Sequence, residues 1–204
     1  MEPATLSKDM RIAKGAAVII ALVAVLLGAA TAPAQLPMPK ANKFLQKQEP
    51  PKVSKELEAL ISPNNSRVLV SLSKQRAYVM FDDQVYIDTP ISSGKAGHST
   101  PTGDFHVLEK DPNHSSSIYG QFQDGRGRVV RDGVSLHIDA APAGTHYVGA
   151  PMKWFMRLTD QGVGMHVGIL PGYAASHGCV RLPSDIAKLI YDKVKVGTPV
   201  TIEQ

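Results

Sequence analysis

The amino-acid sequence predicts a mainly β domain with one C-terminal helix packed against it, over residues 67–204. Short runs rich in β-branched and aromatic residues recur between turn residues, which is typical of strands. A single stretch near the C-terminal end places apolar residues at helical spacing. The hydrophobic content of 43% and the charged content of 20% are those of a globular protein, so the chain can bury one core.

The first strands are predicted at residues 68–72, 77–81, 85–87 and 103–108. Asp82 and Asp83 favour a hairpin turn between the second and third of these strands. Pro101 and Gly103 favour a turn before the fourth strand, and Phe105 is expected to enter the core. The beginning of the domain is therefore predicted to be a small antiparallel sheet.

The second half of the domain is predicted to combine three strands, one long loop and the helix. The strands are expected at residues 135–138, 155–158 and 164–167. The polar, glycine-containing segment 111–131 is typical of a functional loop or flap. Pro183 and Ser184 begin the helix, Gly197 and Pro199 end it, and residues 199–202 form a last strand.

Two segments precede this domain. Residues 1–34 combine basic residues, an uncharged run from 15 to 30 and the small residues Ala32-Pro33-Ala34, which is typical of a signal peptide. The run also approaches the length that a membrane anchor needs, so a cleaved signal and an uncleaved anchor both fit. Either way the rest of the chain is expected to be exported, to the periplasm or cell envelope. Residues 35–66 are rich in proline and lysine and predict a linker, with a short helix around 54–61.

Composition narrows the possible functions. The formal net charge is +4, and no lysine or arginine stripe alternates with aromatic residues, so nucleic-acid binding is not expected. The chain has a single cysteine, Cys179, which has no intramolecular disulfide partner. A single thiol in an exported protein is either a buried small hydrophobic residue or a reactive group.

The neighbours of Cys179 favour the reactive alternative. A thiol attacks a carbonyl as the thiolate, and a nearby histidine or a helix N-terminus can lower its pKa. The helix that begins at Pro183 is one candidate for this effect. His166, at the end of a predicted strand, is the candidate base, and His177 a supporting residue.

The remaining site candidates surround the cysteine in the sequence Ser176-His177-Gly178-Cys179-Val180-Arg181. Gly178 permits a tight turn, and the amides of Gly178 and Cys179 are candidates for an oxyanion hole, with Ser176 in a supporting position. Arg181 either binds a substrate carboxylate or braces the loop. His166, His177 and Cys179 are also zinc-ligand types, but no metal-binding motif accompanies them, so neither a metal nor another cofactor is expected.

This sequence around Cys179 resembles the catalytic motif of the L,D-transpeptidase (YkuD) family. The upstream His166, the segment Thr100-Pro101-Thr102-Gly103-Asp104-Phe105 and the final segment from Gly197 to Ile202 resemble further elements of that family, so the resemblance covers about 66–204. The family often has glycine directly after the upstream histidine, whereas this chain has His166-Val167-Gly168. The hydrogen-bond partner of His166 is therefore left open.

The resemblance implies a β-sandwich and acyl transfer on peptidoglycan stem peptides. Cys179 would attack a donor tetrapeptide after the L-centre of meso-diaminopimelate and release D-alanine, and an amine of a second stem would resolve the thioester as a 3–3 cross-link. Water as acceptor would give an L,D-carboxypeptidase or endopeptidase, and a protein lysine would give a protein-anchoring enzyme. A non-catalytic wall-binding module is a further alternative. The resemblance also implies inhibition by carbapenems.

Overall fold

The computed structural model describes residues 47–204. The predicted signal peptide or anchor at 1–34 and the first part of the predicted linker, 35–46, lie outside the described residues. Within residues 47–204, no helix is both long enough and apolar enough to cross a membrane.

The described residues form thirteen strands and one α-helix. In chain order these are β1 (Lys52–Val53), β2 (Ser66–Ser71), β3 (Arg76–Phe81), β4 (Gln84–Pro90), β5 (Gly103–His106), β6 (Glu109–Asp111), β7 (Ser115–Asp124), β8 (Val129–Ser135), β9 (Thr145–Pro151), β10 (Phe155–Arg157), β11 (Gly164–Val167), β12 (Val180–Leu182), α1 (Ser184–Lys193) and β13 (Pro199–Glu203).

The strands belong to three sheets. A six-stranded sheet has the order β1-β4-β3-β2-β13-β5, a four-stranded sheet has the order β12-β11-β10-β6, and a three-stranded sheet has the order β8-β7-β9. The pairs β13–β2 and β11–β12 are parallel, and the other pairs are antiparallel. The parallel pair β11–β12 brings together the two segments that hold the candidate site residues.

One hydrophobic core joins the six-stranded sheet, the four-stranded sheet and the helix. Val68 and Val79 come from the first sheet, Met165 and Leu182 from the second, and Ile190 from α1; all five are buried. Alternation along the strands explains this arrangement, because every second side chain of a strand points to the same face. The removal of this apolar surface from water is the main favourable contribution to folding.

The C-terminal end of helix α1 is attached to the four-stranded sheet. The ammonium of Lys110 in β6 donates to the carbonyl oxygens of Tyr191 (2.6 Å) and Val194 (2.7 Å). The last carbonyl groups of a helix lack partners within the helix and carry partial negative charge, so a lysine there stabilises them. Gly197, with a φ of +90°, then turns the chain into β13.

The mainly β architecture and the C-terminal helix are confirmed, and the strand predicted at 164–167 coincides with β11. The loop predicted at 111–131 is wrong, because most of this segment belongs to β7 and β8 of the three-stranded sheet. This sheet buries few apolar side chains, Phe122 and Val134 among them, so its sequence lacks a hydrophobic run. Residues 136–138, predicted as strand, form a turn after β8.

The predicted linker is only partly described, and its described part packs on the domain. Strand β1 pairs with β4. Residues 55–60 form hydrogen-bonded turns where a short helix was predicted, and Leu57 and Ile61 are buried in the core. Lys193 of α1 donates to the carbonyl oxygens of Glu58 (3.0 Å) and Ile61 (3.1 Å). The folded part of the chain therefore begins before residue 67.

Candidate active site

Cys179 lies directly before β12, beside the strand that carries His166. In the parallel β11–β12 pair, Met165 faces Val180 and His166 faces Arg181. Because side chains alternate along a strand, Cys179 and Arg181 lie on the same face as His166. The opposite face carries Met165, Val180 and Leu182, which are fully buried in the core. The core thus fixes the orientation of the three candidate residues.

The Cys179 thiol is half-buried and surrounded by backbone groups. Its sulfur donates to the carbonyl oxygen of Gly162 at 3.7 Å and accepts a hydrogen bond from the Gly164 amide. Burial raises the pKa of Cys179, while the Gly164 amide and the positive charges of Arg181 and Arg157 act in the opposite direction. The expectation of a net lowering of the thiol pKa is therefore wrong for the free protein.

The helix N-terminus, the other predicted influence on the thiol, begins several residues beyond Cys179. Strand β12 separates Cys179 from the first helical residue, Ser184. A strand advances about 3.3 Å per residue, so the helix begins well away from the sulfur. The helix dipole acts mainly within the first turn, so we expect its effect on the thiol to be small.

His166 is 7% exposed, and a backbone contact fixes its ring. Nδ1 lies 2.7 Å from the carbonyl oxygen of Val167, which can only accept, so Nδ1 carries the proton and Nε2 is the unprotonated nitrogen. Burial lowers the pKa of His166 to about 4. The Val167 hydrogen bond acts in the opposite direction, whereas Arg181 and His114 lower the pKa further. His166 is therefore neutral at physiological pH, which a base requires. The partner that the sequence left open is the Val167 carbonyl.

Ser176 and Gly178 shape the turn before the cysteine. The Ser176 hydroxyl donates to the Cys179 carbonyl and accepts the Gly178 amide at 3.1 Å. Gly178 has a φ of +121°, which side-chain-bearing residues rarely adopt, so this position requires glycine. Because the Gly178 amide already donates to Ser176, the Cys179 amide is the remaining candidate donor for the oxyanion hole. Ser176 is a structural brace of this turn.

Residues 92–100 support the other side of the turn, which sequence reasoning missed. Ser92 and Arg181 exchange two backbone hydrogen bonds, and the amide of Lys95 donates to the Ser176 carbonyl. The buried Thr100 hydroxyl accepts the Gly94 amide at 2.8 Å and donates to the Gly178 carbonyl at 2.7 Å. In the sequence, Thr100 was interpreted only as part of a strand entry. Its place in the motif Thr100-Pro101-Thr102-Gly103 was the signal that could have indicated a role at the site.

The side chain of His177 contacts Lys95, Tyr119 and His98. The ammonium of Lys95 lies 3.1 Å from Nε2 of His177, the Tyr119 ring stacks on the imidazole at 4.3 Å, and His98 meets it edge-on at 5.0 Å. His177 is exposed, and it is absent from the groups that influence the pKa of Cys179. In the described part of the chain, no group of three potential metal ligands converges, so the zinc alternative gains no support.

Arg181 is half-buried and forms no ion pair with an acidic residue among residues 47–204. Its stem packs over Gly168, where a Cβ atom would approach the Arg181 Cγ to 2.6 Å and the Cβ to 2.9 Å. Because Gly168 has no side chain, the Arg181 side chain can occupy this position beside Cys179. An unpaired guanidinium at this position is suited to bind a carboxylate.

Comparisons with known proteins identify the family of this chain. The model of the L,D-transpeptidase catalytic domain (YkuD) matches residues 65–202. This chain belongs to the YkuD family. The match begins just before β2 and includes both strands of the site.

Curated relatives of this YkuD chain are L,D-transpeptidases by name. L,D-transpeptidase 1 of Mycobacterium tuberculosis is 28% identical over 139 residues, which are 66% of this chain and 49% of the relative. The probable L,D-transpeptidase ErfK/SrfK of Escherichia coli is 28% identical over 171 residues, 80% of this chain and 52% of the relative. The chain thus matches only about half the length of these relatives.

Solved structures agree with the YkuD fold. An L,D-transpeptidase from Mycobacterium smegmatis has a TM-score of 0.53 at 24% identity, covering 69% of this chain and 59% of that chain. The L,D-transpeptidase LdtMt1, solved in complex with imipenem, has a TM-score of 0.52 at 24% identity, covering 68% and 59%.

Proposed function

We propose that this protein is a cysteine-dependent L,D-transpeptidase that acts on peptidoglycan stem peptides outside the cytoplasm and forms 3–3 cross-links. The observation that carries the proposal is the common face of β11 and β12, which carries Cys179, a neutral His166 whose Nε2 is unprotonated, and the unpaired Arg181. Family membership and the names of the relatives support the same reaction. The export predicted from residues 1–34 agrees with the location of this substrate.

In the first half-reaction, Cys179 attacks the carbonyl between the L-centre of diaminopimelate and D-alanine. Burial raises the pKa of the thiol and lowers that of His166, so the pair rests as thiol and neutral imidazole. His166 Nε2 therefore takes the thiol proton as the carbon–sulfur bond forms, which is general-base catalysis. The amide of Cys179 donates to the developing oxyanion.

The first half-reaction ends with the release of D-alanine, and the second transfers the acyl group to an amine. The imidazolium returns its proton to the leaving D-alanine nitrogen, the carbon–nitrogen bond breaks, and a thioester remains on Cys179. The amine of a second stem peptide then attacks this thioester and gives a proton to His166, the carbon–sulfur bond breaks, and the imidazolium returns the proton to the Cys179 sulfur. Arg181 holds the carboxylate of the terminal D-alanine until that residue leaves, because no acidic side chain of the described chain competes for it.

Intact-mass spectrometry with a tetrapeptide donor and a stem-peptide acceptor tests this proposal. The unmodified protein is expected to gain the mass of the donor less D-alanine and to produce a cross-linked dimer, whereas Cys179→Ala does neither. His166→Gln is expected to slow acylation by roughly 10²–10⁴-fold. The matched control is His137→Gln, which changes an exposed histidine in the turn after β8. This variant is expected to retain activity.

Other products contradict specific parts of the proposal. Trimmed tripeptides without dimers would make the enzyme an L,D-carboxypeptidase. Cross-linking by Cys179→Ala, or no adduct with any stem peptide, would overturn the thiol mechanism. Since a relative has been solved with imipenem, a covalent imipenem adduct on Cys179 is also expected.

A further inference from the structure

The site holds a second unpaired cation that the proposed reaction does not use. Lys95 lies on the exposed segment after Ser93 and Gly94, and its ammonium forms no ion pair with an acidic residue of the described chain. Its side-chain contact is the 3.1 Å hydrogen bond to Nε2 of His177. An ammonium has three donor protons, so two remain available for a ligand.

Lys95 is held in this position through its backbone and through His177. The Lys95 amide donates to the Ser176 carbonyl at 3.0 Å, and its carbonyl accepts the His98 amide at 2.9 Å. The His177 ring, which receives the lysine, is stacked on Tyr119 of β7 and contacted edge-on by His98. A lysine restrained in this way loses less side-chain entropy when it binds a ligand than a free surface lysine.

The charges around His177 show where a ligand anion is favoured. Burial lowers the pKa of His177, and the positive charges of Lys95, His98 and Arg181 lower it further. His177 is therefore a neutral acceptor that lies within electrostatic range of both Lys95 and Arg181. Neither cation is neutralised by an acidic residue of the described chain, so this surface beside Cys179 attracts anionic groups.

We propose that Lys95, oriented by His177 and Tyr119, is a specificity-determining residue that binds a second carboxylate of the donor peptide. The inference rests on the proposed function, since it concerns the same donor. A tetrapeptide donor with meso-diaminopimelate carries one carboxylate on the terminal D-alanine and another at the end of the diaminopimelate side chain. Arg181, two residues from Cys179, binds the first, and Lys95, further out on the exposed segment, binds the second.

Two donors that differ by one charge test this inference. One donor carries the free side-chain carboxylate of diaminopimelate, and the other carries the amide at that position. The rate of Cys179 acylation is measured by intact mass for each donor over a range of donor concentrations. An exposed ion pair contributes at most about a fivefold preference, so the unmodified protein is expected to favour the free carboxylate by roughly two- to fivefold.

Variants assign this preference to Lys95. Lys95→Met is expected to reduce the preference to less than about twofold, mainly through a weaker apparent affinity for the carboxylate donor, whereas Lys95→Arg keeps it. Lys55→Met changes an exposed lysine of the N-terminal turns and is the matched control that keeps the full preference. A purely structural role of Lys95 would slow both donors equally. Thermal unfolding of each variant shows that the fold is retained.

The outcomes separate this inference from the proposed function. A preference that persists in Lys95→Met, or its absence from the unmodified protein while both donors acylate Cys179, overturns the role of Lys95 alone. If neither donor acylates the unmodified protein, the proposed function fails, and the inference fails with it. Loss of the preference in Lys95→Met but not in Lys95→Arg or Lys55→Met supports the inference.

Discussion

His166 lies almost wholly inside the protein, and its two ring nitrogens have different surroundings. Nδ1 is bonded to the Val167 carbonyl, which leaves Nε2 as the acceptor. The pKa of His166 falls to about 4 chiefly because the imidazolium would lose its hydration on burial. The same burial that prepares the base therefore makes the folded protein sensitive to acid.

This sensitivity gives a prediction for stability against pH. An unfolded histidine binds a proton near pH 6.5, whereas folded His166 does so near pH 4. Between these values the unfolded state binds more protons, so the free energy of unfolding falls as the pH decreases from 6.5 to 4. Between pH 7 and 4.5 the loss from His166 is about 2 kcal/mol. Urea unfolding at both pH values measures this loss.

The variant His166→Gln isolates the contribution of this ring. Its free energy of unfolding should fall by about 2 kcal/mol less between the two pH values than that of the unmodified protein. His137→Gln, at an exposed position, should follow the unmodified protein. Equal losses in the unmodified protein and in His166→Gln would contradict the prediction.

At the residue scale, the sequence could predict the types of group but not their contacts. Cys179 and His166 could be named as candidate nucleophile and base from the sequence, because the reactivity of a thiol and an imidazole follows largely from the residue type. The bonds that define their states, such as Gly164 to the sulfur and Val167 to the imidazole, depend on where the backbone passes. Burial also reverses the expected direction of the Cys179 pKa, and burial is not visible in a motif.

At the scale of elements, residues 92–100 act as a brace for the turn that carries Cys179. Ser92 pairs with Arg181, Ser93 accepts the amides of Ala175 and Ser176, and Thr100 bonds to the Gly178 carbonyl. The contacts join segments about 80 residues apart in the chain, so they form only when the domain has folded. This brace fixes the backbone on either side of the thiol.

Thr100→Val tests the brace. Valine keeps the shape of the 4% exposed side chain but removes the hydroxyl, which leaves the Gly94 amide and the Gly178 carbonyl without their partner. Each buried group left unpaired costs roughly 1–3 kcal/mol. We therefore expect a lower free energy of unfolding, measured in urea, and slower acylation of Cys179, because the turn before the thiol loses a constraint.

Thr201→Val is the matched control for this change. The Thr201 hydroxyl donates to Asp104 at 2.8 Å, but this pair is exposed to solvent. Its replacement should change the free energy of unfolding by no more than about 0.5 kcal/mol and leave acylation unaltered. If Thr100→Val behaved like Thr201→Val, Thr100 would not be part of the brace.

The elements themselves were predicted where the sequence pattern is strong. The helix near the end and the strand at 164–167 have clear apolar periodicity, and the structure contains both. The three-stranded sheet was missed because β7 is mostly polar and has only one side with buried residues such as Phe122. The stacking of Tyr119 in this sheet on His177 could not be predicted, because the sequence does not show where the sheet lies.

For the whole molecule, the folded unit is larger than the segment with a strand-rich sequence. Leu57 and Ile61 precede β2 and pack into the core shared by the two larger sheets and α1. The lysine and proline residues around them are typical of a linker, so the sequence did not predict that these two residues are buried. Lys193 holds these turns by their carbonyl groups, so the helix and the N-terminal turns stabilise each other.

The substitutions Leu57→Ala and Leu60→Ala test how far the folded unit extends. Leu57 is 6% exposed, whereas Leu60, three residues later in the same turns, is 55% exposed. Truncation of a buried leucine leaves a cavity and costs about 2–4 kcal/mol, while an exposed one changes stability by about 0.5 kcal/mol at most. Urea unfolding of the full chain should therefore separate the two variants clearly. Equal, small effects would mean that residues 52–61 are a detached linker and that the catalytic domain folds without them.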